Sequence, residues 1–191
     1  MKLTDHIKIY DDVIDEQFCK ELIDIFEYNP SCQEKVDREQ TPQFTQFNFT
    51  EYALNTDEAT KTDKQIHQRL SNVFLNCFSL YRVDLALTDE IPSRYALEQI
   101  RIKKYEPNAT DQYKEHVDVG NHNSARRFFA GLLYLTDHEH EGETTFPYLN
   151  LQVQPKPGRM LVFPPLWMFP HAGLPVSRQS KYIVSSYAHY L

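Results

Sequence analysis

The chain has 191 residues, 41% of them hydrophobic and 13% aromatic, which suits one folded domain with a buried core and argues against a disordered chain. A formal net charge of −7 argues against a general nucleic-acid binder, because phosphate contacts need a basic surface. No apolar run approaches a membrane span, and the opening "MKLTDHIKIYDD" lacks the apolar stretch of a secretion signal. The three cysteines (Cys19, Cys32, Cys77) show no CxxC spacing, so the expectation is a cytoplasmic protein with reduced thiols and no membrane association.

Two helices dominate the first half. In "DEQFCKELIDIFEY" the residues Phe18, Leu22, Ile25 and Phe26 form one stripe, with Ile14 just before it and Asp15 as N-cap. The segment "REQTPQFTQFNFTEYA" (39–54) is polar and aromatic, and fits either an edge strand or a lid over substrate. "TDKQIHQRLSNVFLNCFSLY" then repeats the helical period through Ile66, Leu70, Val73, Phe74, Cys77 and Tyr81, with His67 beside the stripe. Cys19 and Cys77 fall on these apolar faces and read as buried small hydrophobes.

From about residue 94 the period changes to two. "LEQIRIKKYE", "RRFFAGLLYLT", "GRMLVFP" and "SKYIVSSYAHY" are strand-like and separated by Pro, Gly, Asn and Asp clusters. Helices followed by a run of strands predict helical support over about 12–82 and a β core over about 94–191. The helices would pack on one sheet of an antiparallel sandwich or barrel, in a single domain spanning 1–191.

The stretch "QYKEHVDVGNHN" carries His116 and Asp118 two positions apart. On a strand, residues i and i+2 share a face, so an imidazole and a carboxylate would point into one space. That pair alone occurs by chance in ordinary strands, and a metal needs a third ligand from elsewhere. His122, His138, His140, His171 and His189 are available. His138 and His140 lie in the acidic "TDHEHEGE" and are expected to face solvent, whereas His171 in "MFPHAGLPV" is flanked as a buried strand residue is. Two histidines and one carboxylate leave three octahedral positions open, the arrangement that non-haem Fe(II) oxygenases require. Zinc more often takes a fourth protein ligand or holds one water.

Lys181 follows His171 by ten residues. A hairpin turning near residue 176 would set the two directly opposite, roughly 4.5–5.5 Å apart at Cα. A cation there, in an otherwise apolar strand, calls for an anion, and a metal-chelating cosubstrate with a distal carboxylate would supply one. On "QIRIKKY", Ile100 and Ile102 share one face while Arg101, Lys103 and Tyr105 share the other. If Tyr105 faces the pocket, Arg101 and Lys103 lie towards its rim and are candidates for peptide carbonyls or acidic groups.

With these residues assembled, the sequence resembles the 2-oxoglutarate- and Fe(II)-dependent oxygenases, specifically the prolyl 4-hydroxylase-like group. That family pairs HxD with a distal His and a basic residue about ten positions later, as His116, Asp118, His171 and Lys181 do. "IYDDVIDEQFCKELID", "YEPNATDQYKEHVD", "LLYLTDHEHEGETTFP" and "KPGRMLVFPP" are similar to its remaining motifs, in order and over most of the chain. The resemblance implies a double-stranded β-helix (jelly-roll) core with Fe(II) on His116, Asp118 and His171. It implies 2-oxoglutarate paired through its C5 carboxylate with Lys181 and Tyr134, and Tyr105 lining the cosubstrate pocket. Arg127 takes the position of an arginine at the peptide-binding mouth; because it follows Arg126 on a strand, only one of the two can face inward.

The implied activity is hydroxylation of proline in a peptide or protein, with dioxygen consumed, 2-oxoglutarate decarboxylated to succinate, and ascorbate as reductant. Three departures stand out. Glu141 replaces the first glycine of the Gly-Gly-Glu-Thr motif, a change expected to be inert in a loop. Tyr187 stands on the substrate side where many relatives carry tryptophan, while the only tryptophan, Trp167, lies four residues before His171. The peptide-binding domain of the collagen-modifying members has no counterpart, which argues against collagen in the secretory pathway. A free amino acid, another peptide side chain or a nucleobase as substrate stays open, as does a non-catalytic β-helix binding module.

Overall fold

The computed structural model describes residues 2–37, 43–108 and 110–191. Among the described residues, twelve strands and three α-helices make up the fold. In chain order the helices are α1 (Glu16–Tyr28), α2 (Phe49–Asn55) and α3 (Lys61–Asp84). The early strands are β1 (Lys8–Tyr10), β2 (Gln33–Asp37), β3 (Gln43–Asn48), β4 (Ala96–Leu97), β5 (Arg101–Tyr105) and β6 (Tyr113–His116). They are followed by β7 (Arg127–Tyr134), β8 (Thr144–Phe146), β9 (Leu151–Val153), β10 (Met160–Phe163), β11 (His171–Gly173) and β12 (Lys181–His189).

These strands form two antiparallel sheets facing each other, a jelly roll. The larger has eight strands, seven of them in the order β1-β10-β7-β12-β5-β3-β2, with β4 pairing β12; the smaller runs β6-β11-β8-β9. Alternation along each strand of the large sheet sorts side chains into two cores. Ile102, Leu133, Val162 and Val184 point outward and meet Phe18, Leu22, Phe26, Leu70, Phe74 and Phe78 of the helices. Leu132, Tyr134, Leu161, Phe163 and Ile183 point inward and meet Phe146 and Val153 of the small sheet. Each fully buried Leu or Phe contributes about 1.5–3 kcal/mol through removal of apolar surface from water.

The helices start where the sequence marks them. Asp15 accepts from the Phe18 amide at 2.7 Å, and Thr60 forms a capping box with Asp63. α3 approaches β7 closely because Gly131 has no side chain: a Cβ there would lie 2.9 Å from the Phe74 ring. Among the described residues no helix is long and apolar enough to cross a membrane.

The aromatic stretch after residue 42 is not an edge strand. Residues 43–48 form an interior strand between β5 and β2, and residues 49–55 form α2. Alternation places Phe44 in the core between the sheets and Phe47 in the core under the helices; residues 39–42 of that stretch lie outside the described ones. The edge is β2, which is paired to β3 from Gln33 to Asp37.

Candidate metal centre

His116 ends β6 and His171 begins β11, and their Cα atoms are register partners in the small sheet. The two rings lie 4.3 Å apart at their centroids. Asp118 is not on the strand, as the i/i+2 argument assumed. β6 stops at His116, and the chain bends so that the Asp118 carboxylate folds back between the rings. Its Oδ1 is 3.5 Å from His116 Nε2 and its Oδ2 is 3.5 Å from His171 Nε2.

The donor set fits a divalent metal. Each histidine directs Nδ1 at a backbone carbonyl, His116 at Lys114 (2.8 Å) and His171 at Phe169 (3.1 Å). Those contacts place the proton on Nδ1 and turn the Nε2 lone pairs inward, as in metal-bound histidines. Burial pushes the His171 imidazolium down to about 4, with His116 adding to the effect against the pull of Asp118, so the ring is neutral at pH 7. Burial alone would raise the Asp118 carboxyl, but His116, His171 and the Tyr187 hydroxyl outweigh it and hold the carboxyl well below its ordinary range. Two imidazole Nε2 atoms and a carboxylate converge on one point, an arrangement that a cation fits. Among the described residues, this is the one group of three such ligands within 4.8 Å of one another.

Across the cavity stands the inward face of the large sheet, whose register sets the remaining residues in rows. Lys181 pairs with Tyr105; Ile183 with Lys103 and Tyr134; Ser185 with Arg101 and Leu132; Tyr187 with Ala130. Lys181 therefore faces His171 from the opposite sheet and is not its hairpin partner. β11 bonds to β6 and β8, and the intervening segment crosses between sheets instead of turning tightly. The Lys181 ammonium donates to Leu174 O (2.7 Å) and Gly142 O (3.0 Å), and sits 4.6 Å from the centre of the Tyr105 ring. Those bonds leave one of its three protons for a ligand. Burial depresses its pKa to about 7, against the pull of Glu143 and Glu141.

Tyr134 lies at the same end. Its hydroxyl donates to Thr144 Oγ1 at 2.6 Å, which leaves the Thr144 proton for an anion; no spacing in the sequence points to Thr144. The cavity is lined by Tyr105, Tyr134, Thr144, Lys181, Lys103 and the three metal-type ligands, among others.

The other expected residues surround an adjoining cleft of about 500 Å³, which Arg101, Lys103, Arg127 and Tyr187 all line. Arg101 stands at its rim, but Lys103 is only 8% exposed and sits inside rather than at the edge. Arg127 faces inward and Arg126 outward. The Arg127 guanidinium is held by both Glu98 oxygens (2.8 Å each) and donates to the Asp118 carbonyl. It also lies 3.9 Å from the centre of the Tyr187 ring. Glu98, 29 residues before Arg127 and in none of the motifs, carries no local signal of that role.

Two loop expectations fail. His138 is 2% exposed, because Thr136 Oγ1 meets its Nε2 and the Gln154 amide caps its carbonyl; His140 does face solvent. Glu141 is not inert, since its carboxylate accepts from the Ser177 amide and hydroxyl and from the Arg178 amide.

Residues 100–189 match the family model of the 2OG-Fe(II) oxygenase superfamily. A curated protein of Acanthamoeba polyphaga mimivirus, named "Putative prolyl 4-hydroxylase", is 33% identical over 106 residues, covering 46% of this chain and 43% of the relative. The chain thus spans less than half of that relative's length. In fold, it is similar to the viral collagen prolyl hydroxylase of Paramecium Bursaria Chlorella virus-1 in its 2OG complex, at TM-score 0.70 and 19% identity over 97% of both chains. A Pseudomonas putida prolyl-4-hydroxylase gives TM-score 0.69 at 14% identity, covering 97% of this chain and 93% of that one. A Trichoplax adhaerens prolyl hydroxylase in complex with a hypoxia-inducible-factor peptide fragment gives 0.72 at 15% identity, covering 97% and 84%. The stretch that matches the 2OG-Fe(II) oxygenase superfamily, residues 100–189, is the one that supplies all three metal-type ligands and the lysine facing them.

Proposed function

We propose that the protein is a 2-oxoglutarate- and Fe(II)-dependent dioxygenase that hydroxylates proline residues in peptides or proteins. The observation that carries this reading is the convergence of His116, Asp118 and His171 opposite a buried ammonium, Lys181. His116, Asp118 and His171 would hold Fe(II), and Lys181 would pair with the C5 carboxylate of 2-oxoglutarate. Bound iron supplies the activation of dioxygen that couples decarboxylation of 2-oxoglutarate, to succinate and CO₂, with hydroxylation of substrate; ascorbate would keep it reduced.

The chain's own residues contribute position and charge. Lys181 neutralises the distal carboxylate, and the Thr144 hydroxyl, fixed by Tyr134, donates to it. Tyr105, Leu132 and Ile183 line the cavity, where they would enclose the methylene portion and exclude water. Tyr187 and Arg127 hold Asp118 from the cleft side, where an extended peptide would enter. Three unpaired cysteines suit a reducing compartment such as the cytoplasm.

The test is mass analysis of proline-containing peptides incubated with the protein, Fe(II), 2-oxoglutarate, ascorbate and air. One added oxygen on a proline ring supports the reading. An added oxygen on another side chain would keep the chemistry and move the substrate. An unmodified peptide pool with steady 2-oxoglutarate consumption would favour a free amino acid.

A further inference from the structure

The cleft beside the metal centre carries more positive charge than its own carboxylates balance. Among the described residues, Asp118 is the one carboxylate lining it, and the metal centre uses that group. Of the three lining cations, Arg127 is matched by Glu98. Arg101 makes its side-chain hydrogen bond to Gln99, a neutral amide. Lys103 has no side-chain hydrogen bond to any described residue; its ammonium lies 5.3 Å from the Phe44 ring centre and 5.9 Å from that of Tyr113.

A buried ammonium with no carboxylate bonded to it is costly, and burial draws the Lys103 pKa down to about 8 against the pull of Asp118, whose charge the metal centre uses. A peptide carbonyl would satisfy its protons but not its charge. A carboxylate satisfies both. The surplus also stands out because the whole chain is acidic, with a net charge of −7.

The register shows where such a carboxylate would sit. Arg101, Lys103 and Tyr105 alternate on the inward face of β5, about 6–7 Å apart. Tyr105 marks the cosubstrate end and Arg101 the open end, so Lys103 lies between cosubstrate and incoming peptide. We propose that the cleft selects a peptide bearing an acidic side chain within one or two residues of the hydroxylated position, held by Lys103 and Arg101. The proposal rests on the oxygenase reading above and adds a substrate class to it.

The test uses two labelled proline peptides that differ only in Glu against Gln beside the proline. Binding is measured by fluorescence anisotropy to the anaerobic protein loaded with Fe(II) and 2-oxoglutarate, so no turnover is needed. The Glu peptide is expected to bind about thirtyfold more tightly, and Lys103→Met to abolish most of that preference. Arg101→Glu, at the rim, is expected to reverse it in favour of a Lys peptide, and it carries the test if Lys103→Met fails to fold. Equal binding of the Glu and Gln peptides, binding of neither, or a preference that survives both substitutions would overturn the proposal. So would a loss of 2-oxoglutarate affinity in Lys103→Met with the peptide preference intact, which assigns Lys103 to the cosubstrate. Hydroxylation is scored separately. Tight acidic-peptide binding without proline hydroxylation sinks the proline reading and keeps the cleft; equal binding with hydroxylation does the reverse.

Discussion

The Tyr187 hydroxyl donates to Oδ1 of Asp118 at 2.8 Å, and so fixes the orientation of the one metal-type ligand that lies outside a strand. Arg127 supports the pair from above, stacked on the Tyr187 ring and bonded to the Asp118 carbonyl. Tyr187→Phe is therefore expected to weaken Fe(II) binding about tenfold to a hundredfold, the usual cost of losing a hydrogen bond to a metal ligand. Anaerobic calorimetry with Fe(II) alone reads this without any turnover. An unchanged metal affinity would reduce Tyr187 to a wall of the cleft.

Lys181 makes a pH prediction with a definite sign. Burial lowers its pKa to about 7 in the free pocket, and the dicarboxylate binds only the charged form. The affinity for 2-oxoglutarate should then be full below pH 7 and fall as the pH rises, approaching tenfold per unit well above the free pKa. Binding at pH 8 should take up a proton, visible as a dependence of the binding heat on the buffer's ionisation enthalpy. Lys181→Met should raise the dissociation constant for 2-oxoglutarate by about thirtyfold or more and remove the pH dependence.

Gly131→Ala tests the packing of α3 on the large sheet. The new methyl would lie 2.9 Å from the Phe74 ring, which must shift within a filled core. A loss of about 1–3 kcal/mol is expected, read as a fall in thermal midpoint of a few degrees or more, with Fe(II) affinity retained. A stability equal to that of the unaltered protein would show that α3 is not held against β7 as described.

Glu141→Ala should loosen the crossing between β11 and β12, because three hydrogen bonds to Ser177 and Arg178 end on this carboxylate. The Ser177 hydroxyl, foremost, keeps the Glu141 carboxyl below its ordinary pKa. Its contribution is present above the ordinary carboxylate pKa and fades as the pH falls through the lowered one. Limited proteolysis should cut near residues 174–180 faster in Glu141→Ala than in the unaltered chain at pH 7. Equal cutting would return Glu141 to an inert position.

Local periodicity carried much of this architecture. The stripe Phe18, Leu22 and Phe26 and the alternation Arg101, Lys103, Tyr105 are set by helix and strand geometry, and each faces where its spacing says. His116, Asp118 and His171 could be grouped by chemistry alone, and the structure brings them together. What spacing could not supply was the partition into sheets. His171 and Lys181 are ten residues apart, yet they lie on opposite walls, because each bonds to strands far away in sequence. The stretch 43–55 was ambiguous for the same reason: its strand pairs with β5, more than fifty residues on. His138 looked solvent-facing within an acidic loop because the group that covers it, Gln154, comes from beyond β9. Glu98 and Tyr187 acquire their roles only through contacts with Arg127 and Asp118.

The most direct test of the central claim is succinate formation from 2-oxoglutarate by the purified protein with Fe(II) and ascorbate, with and without proline peptides. His116→Ala serves as the control. Succinate release is expected, stimulated by proline peptides and abolished by the substitution, because His116 supplies one of the three metal-type donors. Absence of succinate under every condition, or equal release by the His116→Ala protein, would contradict the claim.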